Sequence, residues 1–327
     1  MSKQVNWQPT ADIQALKKRA EILRQIRDFF YHRQVMEVET PMLSSGTVTD
    51  LHLEGFATKL AYPCTDMKGD TLYLQTSPEF AMKRLLAAGS GCIFQLAKAF
   101  RNEQAGRFHN PEFTMLEWYR IGFDHFALMA EIDQLMQYLL DCEPADKMSY
   151  QQAFKHYVGL DPLTANIEQL QQAVLDHQLH ADWVASESNI DTLLQFLFGE
   201  LVERNIGKSR PCFIYHFPSS QASLAKIHAE DQRVAERFEL YYQGVELANG
   251  FHELTDANEQ YQRFQADNKL RTEYNLAEKP IDQHFIKALQ SGLPDCSGVA
   301  LGIDRVVMIA LNAEHIKDVI AFPVNIA

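Results

Sequence analysis

The stretch from Phe238 to Leu247 constrains the fold most, because an aromatic-rich run and a second alternating run meet there at Gln243-Gly244. A two-residue turn of this kind joins antiparallel strands. It puts Glu246 opposite Tyr241 and makes Glu239 a diagonal neighbour on the same face, within roughly 7–8 Å. Two carboxylates converging on one face repel each other unless a cation lies between them, and Mg²⁺ bridging nucleotide phosphates takes one or two such groups. A solvated acidic face fits the hairpin alone equally well.

The rest of the chain predicts strands separated by hairpins and long insertions, with helices to the side. Ile13, Leu16, Ala20, Leu23, Ile26 and Phe30 form one stripe of a helix over 11–33, with Thr10 able to cap it. Val35 to Pro41 alternates as a strand closed by proline. A strand at Leu72–Gln75 leads into Ser77-Pro78-Glu79, a cap followed by proline at the first helical position. Ile93 to Glu103 and Phe113 to Ile121 read as extended, and Asp124 caps a helix ending near Cys142. Asp256 and Glu259 make a capping box for a helix through about Tyr274. Gly298 to Arg305 is a strand turning at Gly302 into a helix. This order predicts a mostly antiparallel α+β domain, a single one over 1–327 with a helical insertion at about 143–210.

Composition narrows the class. With 327 residues, 46% hydrophobic and 22% charged, the chain is neither disordered nor fibrous. No apolar run approaches a membrane span, and Met1-Ser2-Lys3-Gln4 leads into a polar segment rather than a secretory leader. The spacing of Cys64, Cys92, Cys142, Cys212 and Cys296 suits neither a disulfide framework nor a metal knuckle, so reduced thiols in a cytoplasmic protein are expected. The net charge of −13 gives little help in binding polyphosphate backbones. His177 and His180 are spaced for metal but lack a third ligand, and solvent-facing side chains are expected there.

Several residue groups point to chemistry. Arg101 and Glu103, two apart at a strand end before a polar loop, suit a phosphate held beside an amine or metal, or else a surface ion pair worth about 0–1 kcal/mol. Asn249, Phe251 and Glu253 share strand parity, so an amide and a carboxylate line one face, as an amino-acid ligand needs. Glu79 offers a second carboxylate, although it also favours a helix N-terminus. Gly302 permits close backbone approach to a ligand, and Arg305 follows within one turn.

Taken in order, the helix–strand–Pro41 unit, Phe100-Arg101-Asn102-Glu103 with Phe113, and Gly302-Ile303-Asp304-Arg305 resemble the three signature motifs of class II aminoacyl-tRNA synthetases. Arg237-Phe238-Glu239, Glu246 and Asn249 to Leu254 resemble the lysine-specific branch. About ten residues precede the first motif, so no anticodon-binding barrel is expected, and the layout is similar to the elongation factor P–(R)-β-lysine ligase family. Ser77, where lysyl-tRNA synthetases usually have alanine, and Ala300, where they have glycine, fit a reshaped amino-acid pocket.

That resemblance implies a class II synthetase-like catalytic core that uses ATP and Mg²⁺ to activate (R)-β-lysine and transfer it to a lysine of elongation factor P, as a homodimer, without tRNA or membrane. Arg101 would hold the α-phosphate. Asn102, Glu103 and Asn110 would contact the nucleotide, Phe113 would stack under adenine, and Arg305 would cover its other face and reach the γ-phosphate. Glu239 and Glu246 would bind Mg²⁺, with Leu247 and Gly302 packing against ATP. Ser77, Pro78, Glu79, Tyr119, Asn249, Glu253 and Ala300 would form the β-lysine pocket. The rival readings are a truncated lysyl-tRNA synthetase-like enzyme charging tRNA, an asparagine-forming type of amide synthetase, and an inactive regulatory paralogue.

Overall fold

The computed structural model describes residues 7–61 and 69–327; Cys64 lies outside them. In chain order come helix α1 (Ile13–Tyr31), strands β1 (Met36–Glu37), β2 (Leu43–Ser44), β3 (Ala57–Lys59) and β4 (Thr71–Leu74), and helix α2 (Glu79–Ala87). Strands β5 (Ile93–Phe100) and β6 (Glu112–Ile121), helix α3 (His125–Leu140), strand β7 (Asp146–Ser149) and helices α4 (Tyr150–Tyr157), α5 (Ile167–Asp176) and α6 (Ile190–Leu197) follow. Then come strands β8 (Cys212–Tyr215), β9 (Arg237–Tyr242) and β10 (Val245–His252), helices α7 (Ala257–Glu273) and α8 (Gln283–Gly292), strand β11 (Cys296–Gly302) and helix α9 (Ile303–Leu311). The chain divides into two compact units, one running to Gly122 and resuming at Thr255, the other Phe123–Leu254.

In the first unit the strands neighbour one another as β1-β5-β6-β11, and a small sheet has the order β2-β4-β3. Only β1 with β5 is parallel; β5 with β6 and β6 with β11 are antiparallel in long, regular register. Helix α1 packs on this sheet through Ile22, Ile26, Phe29 and Phe30, and Phe30 stacks on Phe94 with centroids 4.6 Å apart. The expected stripe is therefore rotated, and Ile13 is exposed. The cause is Arg19, which takes a core-facing position because Asp304 (2.5 Å) and Thr114 (2.8 Å) pair with it. The cap is Asp12, whose carboxylate accepts from Ala15 N, while the Thr10 hydroxyl bonds to Lys317 and Ile320 carbonyls instead. Strand β1 is shorter than Val35 to Pro41.

In the second unit the order is β10-β9-β8-β7. Its core joins Tyr150, Phe154, Leu193, Leu197, Phe198 and Ile214, so α4 and α6 pack on the sheet. The stretch 143–210 holds helices α4 to α6, as its periodicity predicts, and also β7, which runs parallel to β8. Among the described residues most pairings are antiparallel, in agreement with the expected α+β class. Asp124 caps α3 as expected, through Ala127 N.

The capping box at α7 is half formed. Asp256 accepts from Asn258 and Glu259 N–H groups, whereas the Glu259 side chain turns to Arg263 at 2.5 Å. Cys92, Cys142, Cys212 and Cys296 are free thiols, and burial pushes the Cys212 thiol up to about 11. No helix among the described residues is long and apolar enough to cross a membrane.

Candidate active site

In the first unit, β5 ends at Phe100, so Arg101 and Glu103 lie beyond it and the same-face argument from strand parity does not apply. Backbone bonds fix the segment instead. Arg101 N–H donates to Pro111 O (2.9 Å), Asn102 N–H to Glu54 O (2.7 Å), and Glu103 N–H turns back to Arg101 O (2.9 Å). Arg101 is half-buried while Asn102 and Glu103 are exposed. The Arg101 guanidinium lies 5.1 Å from the centroid of the Phe113 ring, on β6. A cation held over an aromatic face is attracted by its quadrupole.

Asn110 is buried and spent on the loop: Nδ2 donates to Glu112 O (2.6 Å), and Oδ1 accepts from Val324 N–H (3.0 Å). Gly302 is the cap residue of α9, and the nearest atoms to a Cβ there are those of the Arg305 side chain, at 3.6–3.9 Å. Arg305 Nη2 is 2.9 Å from His109 Nε2 on the loop between β5 and β6. The residue before it, Asp304, has a different task, accepting from Arg19 and from Thr114 N–H (2.7 Å).

Pro78 is the residue before α2, and Ser77 Oγ lies 3.4 Å from Glu79 N, so the cap falls one residue later than Ser77 predicts. Glu79 Oε1 accepts from the fully buried Lys83 at 2.7 Å. On β6, the Tyr119 hydroxyl donates to Glu117 Oε1 at 2.7 Å. Glu117 is opposite Ala300 of β11, and Tyr119 is opposite Gly298. Glu117, only 1% exposed, is a carboxylate that the sequence analysis missed; its spacing of two from Tyr119 in a long strand is the signal that could have found it.

In the second unit the hairpin forms as expected. Gln243 (φ 52°) and Gly244 (φ 75°) both take left-handed conformations, and Glu246 pairs with Tyr241. A register shift follows between Glu246 and Ala248, so that Asn249 stands opposite Glu239 and Phe251 opposite Arg237. Glu239 is held by Arg237 Nη2 at 2.5 Å and by the Tyr241 hydroxyl. Burial raises its pKa, Arg237 opposes the rise and Glu246 adds to it. Leu247 and Glu253 are buried. Asn249 Oδ1 is buried without a hydrogen-bond partner among the described residues.

The first unit thus holds a guanidinium beside an aromatic ring and a glycine-led helix start, and the second unit, by itself, a hairpin that carries Glu239 and Glu246. The chain belongs to the class II tRNA synthetase family (D, K and N), whose model matches residues 6–326. Within that family, it is 61% identical over 319 residues to a protein of Pseudoalteromonas translucida named elongation factor P–(R)-β-lysine ligase, with 98% of each chain covered. Proteins of the same name from Haemophilus ducreyi (58%, covering 98% of this chain and 97% of theirs) and Salmonella arizonae (58%, 99% of each) are similarly related. The family resemblance read from the three motifs is borne out.

Proposed function

We propose that this chain is an ATP-dependent ligase that activates (R)-β-lysine as its adenylate and joins it to the ε-amine of a lysine on elongation factor P. The observation that carries this reading is the end-to-end identity, 61% and 58%, with relatives bearing that ligase name. Homodimer formation and a cytoplasmic setting belong to the same reading. The exposed apolar residues Tyr31, Met36, Met42 and Leu43, clustered in sequence on the first motif, support the dimer.

In the first half-reaction a carboxylate oxygen of β-lysine attacks the α-phosphorus and the bond to pyrophosphate breaks. Arg101 neutralises charge at the α-phosphate from a segment whose backbone is pinned by hydrogen bonds to Pro111 and Glu54. Phe113 stacks on adenine, while Asn102, Glu103 and Arg305 bind the nucleotide. Asn110, being buried, shapes the loop that does so. Mg²⁺ fits Glu239 and Glu246, two carboxylates whose repulsion contributes to the raised pKa of Glu239. Bound there, it would offset phosphate charge. Arg237 and Tyr241 orient Glu239 for that task.

Glu79 and Glu253 receive the substrate ammonium groups, Asn249 offers its unpartnered oxygen, and Ser77, Pro78, Tyr119 and Ala300 complete the pocket wall. In the second half-reaction the acceptor ε-amine, having lost a proton, attacks the acyl carbon and AMP departs. The test is intact-mass analysis of elongation factor P after incubation with the enzyme, ATP and either lysine isomer. The expected result is addition of one β-lysyl residue that depends on ATP. Transfer to tRNA with none to the protein would overturn the reading in favour of a tRNA-charging enzyme.

A further inference from the structure

A second cluster of polar side chains lies within the Phe123–Leu254 unit. His125 opens α3, Glu236 immediately precedes β9, and His252 ends β10. One potential ligand atom from each lies within 4.8 Å of the others. Glu236 Oε2 is 3.8 Å from His125 Nδ1 and is hydrogen-bonded to His252 Nδ1. The outward-facing atoms have partners: His228 Nδ1 is 2.9 Å from Glu236 Oε1, His216 Nε2 is 3.1 Å from His125 Nε2, and Lys226 Nζ is 3.2 Å from His252 Nε2.

His125 Nδ1 is different. The residue is 3% exposed, Nδ1 has no hydrogen-bond partner among the described residues, and 3.8 Å is too long for a hydrogen bond to Glu236. Where His125 Nε2 donates its proton to His216 Nε2, Nδ1 carries a lone pair beside the Glu236 carboxylate. Two electron-rich atoms facing each other across such a gap call for a cation.

We propose that His125 Nδ1, the Glu236 carboxylate and His252 Nδ1 form a zinc site whose fourth position is open. Two imidazoles and a carboxylate are a donor set for Zn²⁺, whereas Mg²⁺ and Ca²⁺ prefer oxygen alone. At bond lengths of about 2.0–2.1 Å, tetrahedral ligand atoms lie roughly 3.3 Å apart. The gap between His125 and Glu236 therefore closes slightly on binding, and that between Glu236 and His252 opens. As the metal enters, His252 Nδ1 releases its proton to solvent and Nε2 takes one from the facing Lys226 ammonium, which leaves a neutral imidazole and a neutral amine. His216 and His228 hold the outer faces of His125 and Glu236, as supporting groups around metal ligands do. Glu236 and His252 are half-buried, which leaves a route in from solvent. The ion would pin the start of α3 to the edges of β9 and β10.

The test is titration of metal-free, full-length protein with Co²⁺, which absorbs visibly in tetrahedral sites, followed by competition with Zn²⁺. One equivalent per chain, displaced by Zn²⁺, is expected. His125→Phe, Glu236→Gln and His252→Ala should each weaken binding at least tenfold, while His180→Ala, at an exposed histidine, should leave it unchanged. Circular dichroism checks that each variant folds. Because His125→Phe changes a buried position, the wild-type titration and the half-buried His252→Ala decide the matter without it. A wild-type chain that takes up neither metal stoichiometrically, or binding that survives in folded His252→Ala, overturns the proposal.

Discussion

Lys83 Nζ lies 2.7 Å from Glu79 Oε1, one turn along α2, and the lysine is wholly buried while the glutamate side chain is 16% exposed. A carboxylate singled out as a receptor for a substrate ammonium is thus already paired with an ammonium of the protein. Removing one member of such a pair strands the other, which costs about 3 kcal/mol or more, while replacing both is far milder. Lys83→Met should lower the unfolding free energy by about that amount in urea titrations, and Lys83→Met with Glu79→Gln should recover much of it. Additive losses in the double variant would count against the coupling.

Adjacent residues in the third motif divide their labour. Asp304 ties Arg19 of α1 to Thr114 of β6, so Asp304→Ala should destabilise the chain by about 3–5 kcal/mol. Arg305→Ala should shift stability by roughly 1 kcal/mol or less yet lose most ATP–pyrophosphate exchange. Thermal melts alongside exchange rates separate the two effects.

Arg101→Ala should reduce ATP–pyrophosphate exchange by about 10²–10³ or more, the usual cost of removing a charge-stabilising donor. Exchange at the wild-type rate would remove Arg101 from the proposed site.

Glu54 receives Arg271 at 3.0 Å and Lys279 through its other oxygen, and its carbonyl accepts from Asn102 N–H next to Arg101. Burial would raise the Glu54 pKa, but the bonds to Lys279 and Arg271 outweigh it and hold the group below the ordinary carboxylate value. The folded state thus binds a proton less readily than the unfolded one. Its stabilisation is complete above the ordinary carboxylate pKa and is lost as pH falls through the lowered one. Glu54→Gln should be less stable at neutral pH and show a flatter acid limb in pH-dependent urea unfolding.

Gly302 has a φ of −76°, and the atoms nearest to an added methyl, those of Arg305, lie at ordinary contact distances of 3.6–3.9 Å. Gly302→Ala should therefore leave the melting temperature nearly unchanged. A methyl against bound nucleotide should raise the KM for ATP about tenfold or more. An unaltered KM would mean that the nucleotide does not approach this backbone.

Local patterning made much of this readable. The Gln243-Gly244 turn, the pairing of Glu246 with Tyr241, the Asp124 cap and the Gly302 junction of β11 with α9 all depend on neighbours within a few residues, where dihedral preference and strand period decide the outcome. The family signature is also linear, since its motifs are short runs. That signature points to Arg101, whereas strand parity does not reach it, because β5 stops one residue earlier.

Long-range pairing was decided by tertiary structure alone. Arg19 reads as a polar residue on the outer face of a helix until Asp304, 285 positions away, supplies the carboxylate that lets it turn inward, beside the buried Ile22 and Ile26. Lys83 is buried because α2 finds Glu79 and the Phe285 ring together. His125, Glu236 and His252 come from three separate segments and mean nothing as a string. The amino-acid order determined where the chain turns and which class it joins. Burial and charge pairing between distant segments determined which polar side chains face inward, since a buried charge is tolerated only where folding brings it a partner.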